Sequence, residues 1–75
     1  MSHHPTATDM ARIKFLVERI ECCNKIIEEL RDRTDEKSRS ELANNEAQKS
    51  SFILELRSLV NKLTYVPHEA VAALR

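Results

Sequence analysis

"RDRTDEKSRSE", Arg31 to Glu41, runs for eleven residues without one apolar side chain. It also lacks glycine and proline. It is either a solvated turn that folds the chain back or the wet middle of one long rod. The phase of the flanking apolar residues decides between them. Before the stretch, Ile13, Leu16, Ile20, Cys23, Ile27 and Leu30 alternate three- and four-residue spacings, the seam of an amphipathic helix. Val17 widens that seam. Continued onward, the same register falls on Thr34, Lys37, Glu41, Asn44, Gln48, Ser51, Glu55, Ser58 and Lys62, all polar. The apolar residues that follow are Leu42, Phe52, Leu56, Leu59 and Leu63, shifted by one residue. A straight coiled coil would need a skip inside the polar stretch, whereas a turn needs none. The sequence therefore predicts an antiparallel hairpin, with helix one over 9–31, a turn over 32–37 and helix two over 38–64.

End signals refine these bounds. Thr6 lies three residues before Asp9 in "TATD", the spacing of a capping box. Two starts compete for helix two. Thr34 precedes acidic residues that suit a helix N-terminus, and Ser38 precedes Glu41 at capping-box spacing. "TYVP" stops the helix near Thr64. A short third helix is expected over 67–75, with Pro67 at its first position and Arg75 at its C-terminus. Val71 and Leu74 are expected to pack it on the hairpin. Residues 1–7 read as a flexible tail. The whole is one all-α domain, 1–75, expected to be completed by dimerisation into a bundle.

Composition narrows the function. A chain of 75 residues buries only about 60% of its unfolded surface, so a second subunit is a natural supplement. Lys plus Arg and Asp plus Glu both number 12, giving zero net charge. That balance lacks the basic footprint of a nucleic-acid binder. No apolar run approaches the roughly 18 residues of a membrane span. "MSHHPTATDMAR" lacks the apolar segment of a signal peptide. The expected setting is the cytoplasm. The chain contains no glycine, which excludes phosphate-cradling loops and nucleophile elbows.

No catalytic, cofactor or metal site is expected. Cys22 and Cys23 are adjacent and do not form a C-x-x-C pair, so they read as small helix-surface and core residues. His3, His4 and His68 offer no pair four residues apart on one helix face. Glu28, Glu29, Asp32, Asp35 and Glu36 alternate with Arg31, Arg33 and Lys37, the pattern of a solvated face. "NNEAQ", Asn44 to Gln48, reads as plain surface or as the rim of a contact.

Helix one carries a second apolar stripe. Phe15, Cys22 and Ile26 lie roughly 80–120° around the helix from the first. Lys14, Glu18, Glu21, Lys25 and Glu28 mark the wet side. A helix with two apolar faces is expected to be sandwiched between helix two and either helix three or another chain, with Arg19 at the rim. In the hairpin, Ile20, Cys23, Ile27 and Leu30 face the thin half of helix two, where Leu42, Ala43 and Ala47 offer little cover. That mismatch predicts an exposed groove near the turn. The residues expected to bind protein are Phe15, Arg19, Cys22, Ile26, Ile27 and Leu30. Their partner is expected to be another protein or a second copy, with no direct nucleic acid, membrane or small molecule.

Two partial resemblances bear on this. "NKL" at Asn61–Leu63, followed by "VP", "V" and Arg75, is similar to the end of the small Hha family of nucleoid-associated regulators, and an early "TD" fits too. That family's aromatic residues and its central Asp-His-Arg segment have no counterpart. "RIKFLVERIECCNKII" and "LVNKL" look like the first helices of HepT-like toxin ribonucleases. Their Gly-Glu pair would fall on Arg57-Ser58, and their Arg…His motif is missing. Neither resemblance amounts to membership. The expected function is a non-enzymatic protein-binding module of the regulator, inhibitor or co-chaperone type. The alternatives are a nucleoid- or transcription-associated regulator acting through a partner protein, and a helical fragment or relative of a toxin-type ribonuclease lacking its catalytic motif.

Overall fold

The computed structural model describes residues 4–74. It contains helices α1 (Ala7–Leu30), α2 (Glu36–Val60) and α3 (His68–Ala73), and no strand among the described residues. The long dimension is 47 Å. One continuous helix from Ala7 to Val60 would reach about 80 Å at 1.5 Å per residue. The chain is therefore the hairpin and not the rod. Residues 1–3 of the expected tail, and Arg75 at the expected end of helix three, lie outside the described residues.

Thr6 caps α1 by the capping box that the sequence signals. Its hydroxyl accepts from the Asp9 N–H at 3.1 Å, and the Asp9 carboxylate accepts from the Thr6 N–H at 3.0 Å. The helix thus starts at Ala7, two residues earlier than expected. The turn is Arg31–Asp35, and no described residue in it or elsewhere has a positive φ. It closes without the left-handed geometry that favours glycine.

Neither Thr34 nor Ser38 caps α2. Asp35 does, accepting from the Ser38 N–H at 3.0 Å. The Ser38 hydroxyl also bonds this carboxylate, and that bond first, then the backbone one, holds Asp35 below the usual carboxylate range. The earlier start places Ser38 inside the helix on its inward side, where it is buried. It lies in line with Leu42, Asn45 and Lys49, which are all half-buried. Ala43 and Ala47, expected to face helix one, are exposed. The inward seam of the first half of α2 is therefore more polar than the sequence reading allowed.

The core sits at the opposite end. Ile13, Leu16, Val17 and Ile20 of α1 pack with Leu56, Val60, Leu63 and Ala70. α2 ends at Val60, not Thr64. Lys62 and Leu63 then donate backbone N–H bonds to the carbonyls of Leu59 and Val60, a tight turn that returns Leu63 to the core. Pro67 is buried and occupies the N-cap of α3, one position before the one expected. Its carbonyl accepts from the Ala70 and Val71 N–H groups. Fully buried Ala70 and half-buried Leu74 seat α3, while Val71 is 41% exposed. Alanine's small side chain lets so short a helix lie close on the hairpin.

Two tests follow from this arrangement. Leu56 has 0% exposure, so Leu56→Ala should lower the unfolding free energy by about 2–5 kcal/mol, measured by urea titration. Asp35 has its folded pKa depressed, so its stabilisation is present above its ordinary value of about 3.9 and is lost as pH falls through the lower folded value. Asn also caps well. Asp35→Asn should therefore melt close to wild type at neutral pH and lose less stability on acidification, in melts followed by circular dichroism.

Candidate functional site

Three sides of α1 have different fates. The first meets α2. The second carries α3, which two shallow grooves flank. One, of about 570 Å³, is lined by Met10, Ile13, Val17 and Pro67 with Lys14 and Glu18. The other, of about 340 Å³, is lined by residues including Ile20, Lys49, Ile53 and His68. Both are open furrows along the crossing of α3 over α1, without the enclosing walls and convergent polar groups of a ligand pocket.

The third side holds the second apolar stripe. At about 100° per residue, Phe15 and Cys22 lie nearly opposite Ile13 and Val17. α3 therefore does not cover them. Phe15 is 44% exposed and Cys22 is exposed, while Cys23 is buried. Ile26 and Ile27 are half-buried. Leu30 is buried at 8% exposure and spends its side chain inside the hairpin.

Two arginines border this stripe and both reach toward α2. Arg12 donates from Nε and Nη2 to the two carboxylate oxygens of Glu55, the second at 2.9 Å. This is the paired, fork-like geometry that orients as well as attracts. The same guanidinium lies 4.9 Å from the centroid of the Phe15 ring. The hydrogen bonds from Arg12, then its charge, hold Glu55 below the usual carboxylate range. Both side chains are nearly half exposed, so water screens the pair and its value is in orientation more than in stability. Arg19 places its guanidinium 5.9 Å from the Phe52 ring. It marks the edge of the stripe and leans toward helix two.

The groove expected near the turn is largely closed. Ile20, Cys23 and Leu30 are buried. The polar residues Ser38, Asn45 and Lys49 occupy the α2 side that lacked apolar cover, and a lysine can lay its methylene stem over apolar surface. Within "NNEAQ" only Asn45 turns inward, donating its amide to the Glu41 carbonyl at 2.9 Å. The rest of that segment is exposed. The sequence reading missed Arg12, Phe52 and Glu55 as neighbours of the stripe. Arg12 stands one helical turn before Phe15, a spacing that brings side chains together. Glu55 and Phe52 depend on the hairpin register and carry no local signal.

Among the described residues no group of three or more His, Cys, Asp or Glu could hold a metal ion. No helix of the described chain is long and apolar enough to cross a membrane. No protein-family model, no curated protein and no solved structure matches the chain.

The contrast between the adjacent thiols can be measured directly. At high dilution under native conditions, Cys22 should react rapidly with a disulfide reagent. Cys23 should react only on unfolding, giving one fast thiol and one slow one per chain.

Proposed function

We propose that this chain is a small non-catalytic protein-binding module that works through the third side of α1. One observation supports this reading above the others. Phe15, Cys22 and Ile26 form an apolar stripe at helical spacing that α3 does not cover; Phe15 and Cys22 stay exposed and Ile26 is half-buried. Exposed apolar stripes rimmed by polar residues are the surface that helix-in-groove and helix-pairing contacts use. Phe15 with its overlying Arg12 supplies the aromatic and arginine side chains that dominate such contacts. Arg19 and Ile27 extend the surface along its inner edge. A regulator, an inhibitor or a co-chaperone would use such a face. The two free cysteines fit a reducing cytoplasm, where an exposed thiol persists.

Ile26→Glu puts a charge into the stripe at a half-buried position. The expected result is unchanged helicity by circular dichroism and a fall of about tenfold or more in the affinity of assembly. Light scattering coupled to size exclusion would read this as a shift to monomer mass. If helicity, mass and binding all stay at wild-type values, the face is misassigned.

A further inference from the structure

We infer that the occupant of this face is a second copy of the same chain, laid antiparallel, with Glu18 of each copy against Lys25 of the other. The inference rests on the reading of the third side of α1 as a binding surface. It goes further by fixing the partner, its direction and its register.

The argument comes from charge and spacing. Thr8, Arg12, Phe15, Arg19, Cys22, Ile26 and Glu29 alternate four- and three-residue steps down this side of α1, the repeat that two helices need to share a seam. In a parallel, in-register pair each of them meets its own copy. Arg12 then faces Arg12, Arg19 faces Arg19 and Glu29 faces Glu29, which sets like charges together at three levels of the contact.

An antiparallel pair can avoid this. In one register Phe15 sits beside Ile26 of the second copy, and Arg19 beside its Cys22. The Arg19 guanidinium already leans toward Phe52, so its methylene stem is what lies beside the thiol. Arg12 then meets Glu29 of the second copy. Glu55 occupies two of the N–H groups of Arg12, and a guanidinium has five, so donors remain. On the solvent flank, Glu18 meets Lys25 of the second copy, and two-fold symmetry makes that contact twice.

Sliding this pair by one heptad destroys the match. In one direction Lys25 meets Lys25 of the other copy. In the other direction Glu18 meets Glu18. Only the middle register sets opposite charges against each other on the flank. Glu18 and Lys25 are both exposed, and neither takes part in an ion pair within the described chain. Like charges held across a helix interface act against the wrong pairing, a common device for setting register and direction. The opposite flank of the seam is the core of the hairpin itself, with Leu16, Cys23 and Leu30 buried against α2. Two such hairpins joined along α1 give a four-helix core.

Charge reversal provides the test, read by sedimentation equilibrium with helicity checked by circular dichroism. Glu18→Lys alone and Lys25→Glu alone each turn both attractions into repulsions, so each should weaken the dimer about tenfold or more. The double reversal, Glu18→Lys with Lys25→Glu, should return the affinity to near wild type. A second experiment does not depend on those variants. In a Cys22→Ser background, Phe15→Cys chains mixed with Ile26→Cys chains should cross-link to each other on oxidation and not to themselves.

A wild-type chain that stays monomeric at high concentration overturns the self-pairing. So does a dimer in which the double reversal fails to rescue the single ones, or in which Ile26→Cys chains cross-link among themselves. If Ile26→Glu still dissolves that dimer, the binding face stands and only the pairing falls. If the dimer is indifferent to Ile26→Glu as well, both readings fall.

Discussion

The hairpin depends on one uneven distribution of apolar contact. Leu16, Ile20 and Leu56 are each at most 1% exposed, and they share one cluster with Ile13, Val17, Val60, Leu63 and Ala70. That cluster occupies the end of the hairpin far from the turn. Its burial is what holds two helices of 24 and 25 residues together in a chain too short for a second core. α3 is an extension of it. Six residues would not hold a helix in water, and this one persists because Ala70 and Leu74 lie on the hairpin.

Much of this was legible in the sequence, for reasons tied to particular residues. The shift of one residue between the seam ending at Leu30 and the seam through Leu56 is a long-range signal, and it correctly implies a fold-back. The Thr6–Asp9 cap is local and strong. The cap of α2 was harder because Thr34, Asp35 and Ser38 are all good capping residues. What separates them is the inward direction of Ser38, which only tertiary packing sets. The expectation of an open groove near the turn failed for a related reason. Counting apolar residues treats Ser38, Asn45 and Lys49 as absent, yet these side chains occupy the seam.

The uncovered stripe was legible as a stripe, because Phe15, Cys22 and Ile26 recur at helical spacing. Which neighbour would cover it was not legible. α3 could have crossed either flank of α1, and the choice depends on the path from Val60 to Pro67. Arg12 carried no visible role, and Arg19 was legible only as the rim of the stripe. Their contacts with Glu55 and Phe52 join residues far apart in sequence and exist only in the register that the core selects.

The turn without positive φ has a consequence for the unfolded chain. A fold that needs no left-handed residue can dispense with glycine altogether, and this sequence does. Glycine enlarges the conformational space of a denatured chain more than any other residue. Its absence leaves a denatured ensemble with fewer backbone states to surrender on folding. Part of the stability of so small a protein therefore resides in the stiffness of its disordered state.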